Sequence, residues 1–450
     1  MNKNKLLLIG IVLLFNAICA DAQEKKLFSE TDAQKEQRMA WWTDSRFGMF
    51  IHWGLYALPA RGEWVKSIEH INNEQYQKYF NDFNPDLFHP EEWAKEAKAA
   101  GMKYAVLTTK HHEGFCLFDT KYTDYKAINT AAKRDLVREY VDAFRAQGIK
   151  VGFYYSLLDW HHPDYTIDDN HPLRPANKAD YARLNKGRDM ARYRQYMRNQ
   201  ITELLTNYGK IDILWLDFSF ARKDGHGKGK DDWESVELLK LIRKLQPGII
   251  VDNRLDLEEY KDGADFVTPE QVKTAELAPY RGKVWETCQT FSGSWGYSRD
   301  ENTWKTHRQL LDLLITSVSN GGNLILNVGP TARGEFDGRA THALDSIATW
   351  MHSNSKAIYG CTYAPAAYQV PDSAKLTYNA AAKRLYVHVY NYPASGKFIL
   401  PGYHGKVKYA QFLHDSSELK MTEEGKDVIL TLPVKKPGFE IPVVELLLND

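Results

Sequence analysis

The chain has 450 residues, with 58 basic and 58 acidic side chains and a formal net charge of zero. That balance argues against a nucleic-acid partner, which needs a basic face. Four cysteines are too sparse for a disulfide framework, so stability must come from packed cores, and the length suffices for one large domain and a smaller one.

The first 22 residues carry Lys3 and Lys5, an apolar run over residues 6–15, and a small-x-small site at Ala20-Asp21-Ala22. This is the pattern of a secretory signal peptide, which places the mature start near Gln23 and the protein in a periplasm or outside the cell. The run is shorter than the roughly twenty residues of a spanning helix, and no later stretch is as apolar, so no membrane is expected after cleavage. Removal of Cys19 leaves Cys116, Cys288 and Cys361, an odd set. Twelve Trp and 26 Tyr supply flat faces that suit sugar rings, although aromatics also fill cores.

A helix is expected over residues 31–43, followed by a buried strand in Phe47-Gly48-Met49-Phe50-Ile51 that runs into His52-Trp53-Gly54. The same apolar-then-polar pattern recurs at 103–110 before His111-His112, at 151–156, at 213–217, at 249–254, at 265–270, at 284–289 and at 323–329. Amphipathic helical stretches lie between most of these, at 90–100, 135–147, 181–208, 234–245 and 304–320. Eight strands alternating with helices predict a parallel sheet closed into a (β/α)8-like barrel over residues 23–360, irregular between the sixth and seventh strands, where the link is too short for a good helix. A helix at 338–354 ends it. Over residues 361–450 the pattern changes to period-two alternation broken by turn residues, which predicts an antiparallel β-sandwich.

In such a barrel the carboxyl ends of the strands share one mouth. That gathers His52, His111, His112, Tyr154 or Tyr155, Trp215, Asp217, Arg254, Glu270 and Glu286. Two carboxylates among aromatics and histidines meet the needs of glycoside hydrolysis, one ionised as nucleophile and one protonated as acid. Blander readings stand beside these. Asp217 could cap a helix, although Phe218-Ser219-Phe220 and the Gly/Lys-rich stretch 223–230 offer none. Glu270, after Thr268-Pro269, could be a first-turn helix acid, and Glu286 a buried partner of an arginine such as Arg254. One of the paired histidines could be buried and the other exposed. A metal hydrolase would favour His-x-His or Cys-x-x-Cys spacings, which are missing, so neither metal nor cofactor is expected.

These stretches resemble the α-L-fucosidases of glycoside hydrolase family 29. The likeness rests on Phe50-Ile-His-Trp-Gly54, Gly62-Glu-Trp64, Thr109-Lys-His-His-Glu-Gly-Phe115, Phe153-Tyr-Tyr-Ser156, Leu214-Trp-Leu-Asp217, Asp252-Asn-Arg254, Thr268-Pro-Glu270, Ser294-Trp-Gly-Tyr297 and Gly321-Gly-Asn-Leu-Ile-Leu-Asn-Val-Gly-Pro330. The resemblance implies a retaining exo-α-L-fucosidase acting on fucosylated oligosaccharides or glycoconjugates, with Asp217 as nucleophile and Glu270 as acid/base, Glu286 being the reserve. It further implies that His52, Glu63, Trp64, His111, His112, Tyr154, Trp215 and Arg254 hold sugar hydroxyls and that Trp295 meets the C5-methyl side. Many family members follow Trp-x-Asp with Gly, whereas Phe218 stands here. The rival classes are a glycosidase for a related sugar and a non-catalytic carbohydrate-binding barrel.

Overall fold

The computed structural model describes residues 25–449, so the expected signal peptide lies outside the described residues. A helix at Asp32–Ser45 opens the main body, started by a capping box in which Thr31 and Gln34 satisfy each other's backbone amides. Its Arg38 spans to the far side of the chain, donating to Glu30 and, at 2.7 Å, to Asp265. Arg243 reaches the other oxygen of Asp265 at 2.5 Å.

Seven parallel strands follow: β1 (Phe47–Ile51), β2 (Tyr104–Lys110), β3 (Lys150–Ser156), β4 (Ile213–Asp217), β5 (Ile250–Val251), β6 (Glu286–Thr290) and β7 (Asn323–Val328). Their order in the sheet is β5-β4-β3-β2-β1-β7-β6. Every residue of β1, β2, β4, β6 and β7 is buried, which explains why these segments read as runs rather than as alternations. Close packing inside the sheet also selects Gly48, where a Cβ would stand 2.2 Å from the Tyr104 ring.

The connecting helices match the amphipathic stretches, at Pro90–Ala99, Leu136–Ala146, Met190–Asn207, Ser235–Leu245 and His307–Ser319. Pro90 starts its helix at the first turn, and Asp135, Asp189 and Thr306 cap theirs through side-chain oxygens. The long helix expected over 181–208 is two, Tyr181–Leu184 and Met190–Asn207, separated by a turn containing Gly187 at φ 88°.

Two strands depart from expectation. The stretch 265–270 is not a strand; it touches its neighbours through isolated parallel bridges, Asp252 with Phe266, Val267 with Trp285 and Glu270 with Cys288. Pro269 has no N–H to give a ladder, and side chains take two of the backbone amides around it. Asp265 accepts the Val251 amide at 2.8 Å, and Asn253 accepts the Thr268 amide at 3.0 Å. β5 is only two residues long for a similar reason, because the Asp252 carboxylate accepts the Leu216 amide at 3.1 Å in place of a carbonyl.

The helix Gly338–Asn354 precedes two antiparallel sheets. One has the order β11-β14-β9-β8, from Val407–Phe412, Val443–Leu448, Arg384–Val389 and Ala374–Asn379. The other is β10-β13-β12, from Lys397–Leu400, Asp427–Thr431 and Lys420–Glu424. Leu385, Val387, Leu400, Leu430, Val444 and Leu446 from both sheets form one hydrophobic cluster separate from the main core. The indole of Trp350 donates to the Ile441 carbonyl at 2.8 Å, tying this unit to the helix before it.

Candidate active site

Parallel strands deliver their carboxyl ends to one side, and there β1, β2 and β4 end at or beside polar residues. All the site residues singled out from the sequence line one cavity, apart from Glu286 and the alternative Tyr155, whose buried hydroxyl donates to Gln200 at 2.8 Å.

Asp217 closes β4 and is 9 % exposed. One carboxylate oxygen accepts the Tyr154 hydroxyl at 2.7 Å and the other accepts Arg254 at 3.1 Å. Burial raises its carboxyl above the ordinary carboxylate value, while Arg254 and the Tyr154 hydroxyl oppose the rise. The second terminal nitrogen of Arg254 donates to Glu270 at 2.9 Å, and its Nε donates to Thr268 Oγ1 at 2.9 Å. The guanidinium lies over the Trp215 ring at 4.8 Å. One planar cation therefore clamps both carboxylates, one buried and one with a side chain 44 % exposed. Glu270 begins no helix, since the next helical turn starts only at Thr274.

Three histidines form the opposite wall. Asn327 donates its amide N–H to the Trp295 carbonyl at 2.7 Å, which turns its oxygen toward His52 Nδ1 at 2.6 Å. The His52 proton therefore sits on Nδ1, and the Nε2 lone pair faces away from Asn327. Ser156 donates its single proton to the Leu158 carbonyl at 2.8 Å, so at 2.6 Å it accepts from His112 Nδ1. His112 Nε2 then points to Asp217, 3.9 Å away. Burial holds both rings well below the ordinary histidine range, and the neighbouring His111 adds to this. Both members of the His111-His112 pair are buried, at 3 % and 1 % exposure, so neither is a solvent-facing partner of the other.

Loops complete the walls. Glu63 accepts the Gly296 amide at 2.8 Å, locking the segment after β1 to the one that carries Trp295. Trp295 lies against His52 with ring centroids 5.2 Å apart, and Trp64 packs edge-on against His112 at 5.0 Å. Phe50, Phe218 and Cys288 also line the cavity, and the sequence reading did not place them there. Phe50 was accessible to it, being two residues before His52 on the same face of β1. Phe218 has φ 90°, a strained region for a residue with a side chain. The chain is pinned on both sides, by Leu157 N–H on the Asp217 carbonyl at 2.8 Å and by Ser219 Oγ on the Arg254 carbonyl at 2.7 Å.

Glu286 is elsewhere. It is the first residue of β6, does not line the cavity, and accepts the hydroxyl of Tyr104, the first residue of β2. Its partner is thus a tyrosine and not an arginine. Burial pushes its carboxyl up to about 8, against the pull of that hydrogen bond. Among the described residues, no group of three His, Cys, Asp or Glu side chains is arranged to hold a metal ion.

The Alpha-L-fucosidase family model matches residues 14–356. The chain belongs to the α-L-fucosidase family. It is therefore a member of a glycoside hydrolase family. Human plasma α-L-fucosidase is 30% identical over 395 residues, covering 81% of this chain and 78% of that protein. Among solved structures, α-L-fucosidase isoenzyme 1 from Paenibacillus thiaminolyticus superposes with a TM-score of 0.84 at 45% identity, covering 92% of this chain and all of that one. A family 29 α-L-fucosidase from Bacteroides thetaiotaomicron superposes with a TM-score of 0.78 at 30% identity, covering 95% and 98% of the two chains. That structure holds a trapped covalent intermediate in complex with 2-fluoro-fucosyl fluoride, in a glutamate-to-glutamine mutant.

Proposed function

We propose that this chain is a retaining exo-α-L-fucosidase that releases terminal L-fucose from fucosylated oligosaccharides or glycoconjugates by double displacement. The observation that carries this reading is the Arg254 clamp, which holds a buried carboxylate and an exposed one at one shared cavity in a chain of this family. Asp217 is the nucleophile and Glu270 the acid/base.

In the first step a carboxylate oxygen of Asp217 bonds to the anomeric carbon while the glycosidic C–O bond breaks, and Glu270 gives its proton to the departing oxygen. In the second step Glu270 takes a proton from water, whose oxygen displaces Asp217 and leaves L-fucose with its anomeric configuration retained. Arg254 and Tyr154 spread the charge of Asp217 in both directions of this exchange. The histidine Nε2 lone pairs accept sugar hydroxyls, and Trp295 covers the apolar C5-methyl side.

The scaffold reading is that the parallel sheet, continued through the bridges at Phe266, Val267 and Glu270, closes as a (β/α)8-like barrel over residues 23–360. Residues 361–450 form a β-sandwich beside it, and residues 1–22 direct export to a periplasm or the medium.

Asp217→Ala is expected to lower kcat for an aryl α-L-fucoside by more than about 10⁴-fold, and azide to restore turnover as the inverted fucosyl azide. Substantial activity without azide would remove Asp217 from the nucleophile role. Glu270→Ala is expected to cost about 10²- to 10⁴-fold on a fucosylated glycan and far less on a substrate with an activated leaving group. Equal losses on both would assign the proton transfer to another group.

A further inference from the structure

Behind the histidine wall lies a buried polar cluster that the mechanism leaves unused. Glu113 follows the histidine pair directly, is 1 % exposed, and neither of its carboxylate oxygens has a hydrogen-bond partner. His111 Nδ1, also buried and without a partner, is 3.6 Å from one of them. Lys66 is wholly buried beside it, with Nζ on the Glu113 carbonyl at 3.4 Å and over the Tyr76 ring at 4.8 Å. Gly54 leaves the carboxylate its room, since a Cβ there would stand 2.7 Å from Glu113 Oε1. A buried carboxylate so poorly satisfied is costly, which directs attention to the unpartnered ring nitrogen 3.6 Å from it.

We infer that Glu113 is a positioning residue for sugar recognition, keeping the His111 proton on Nδ1 so that the Nε2 lone pair faces the cavity and accepts one hydroxyl. This rests on the fucosidase reading. A small rotation or one bridging water closes the 3.6 Å gap. The other two histidines have the same proton placement, imposed by Asn327 on His52 and by Ser156 on His112. An ionised carboxylate only accepts, so it admits no other tautomer of the ring it faces; an amide in its place also donates and admits both. Three different side chains thus aim three acceptors into one cavity, a set complementary to a ligand rich in hydroxyl donors.

The test compares kcat/KM for 4-nitrophenyl α-L-fucoside and its 2-, 3- and 4-deoxy analogues across wild type, Glu113→Gln, Glu113→Ala and His111→Ala. Both Glu113 variants are expected to lose about 10- to 100-fold on the parent substrate, mainly through KM. The loss should disappear on one deoxy analogue, the same one on which His111→Ala costs nothing. Uniform losses across all four substrates would overturn the role. The isosteric Gln variant carries the test if the cavity left at this buried position prevents the Ala variant from folding, with Tm measured for each. A wild type inactive on the parent fucoside would overturn the fucosidase reading and this role with it; an active wild type with uniform variant losses overturns only the role of Glu113.

Discussion

At the amino-terminal end of the parallel strands, Lys35, Arg38 and Arg243 surround Glu30 and Asp265, three cations for two carboxylates. At the carboxyl end one cation, Arg254, serves Asp217 and Glu270. Both aspartates are buried, yet their carboxyls move in opposite directions. Burial alone would raise Asp265, but Arg243, Arg38 and Lys35 outweigh it and hold the group below its ordinary value. Burial does raise Asp217, because Arg254 is shared and Glu270 adds repulsion. The ratio of cations to carboxylates separates these two clusters built of the same residue types. A surplus of cations holds an acid below its ordinary value, while a deficit lets burial raise one.

The comparison breaks most severely at Asp265→Asn, which leaves Arg243 without its carboxylate and Arg38 with Glu30 alone. A loss of about 3–5 kcal/mol is expected by denaturant unfolding, with kcat of the folded fraction little changed. The sign of its pH dependence follows from the depressed value. The Asp265 contribution is complete above the unfolded carboxylate range and disappears as pH falls through the lower folded value, so the wild type should lose more stability in acid than the variant does. A variant as stable as wild type at pH 7 would show that the surplus cations stabilise nothing.

Arg254→Met sharpens the other half. Removal of the group that lowers Asp217 lets its carboxyl rise further, so the acid limb of kcat/KM should move to higher pH, with a loss of about 10²-fold at neutrality. An unmoved limb would detach Arg254 from the charge of Asp217. Glu286→Gln should have the smallest effect. Its carboxyl is raised to about 8, so in wild type the stability it contributes is complete below the unfolded value near 4.5 and declines as pH rises through about 8. The variant should lose that decline and keep its kcat; a large loss of activity would return Glu286 to the catalytic candidates.

Much of this arrangement was legible because each strand carries its own evidence. Runs such as Ile213-Leu214-Trp215-Leu216 declare a strand buried on both faces, and the polar residue that ends each run falls at the mouth once the strands are parallel. What escaped depends on partners remote in sequence. The ladder at 265–270 fails because Asp265 and Asn253 side chains take backbone amides, a choice that no local pattern announces. The partner of Glu286 is Tyr104 because Gly48 leaves space for its ring across β1, a vacancy visible only in three dimensions. Glu113 looks like any acid beside a histidine until its burial is known.

The Arg38 bond to Asp265 joins residues 227 positions apart. The amides of Leu27 and Phe28, both bonded to Asp262, span similar separations. The first helix meets Tyr104 through Trp41 and Trp42, but the Asp265 end of its clamp can close only after more than half of the sequence has followed. Loop-closure entropy makes this contact a late event and the opening segment a slow one to settle.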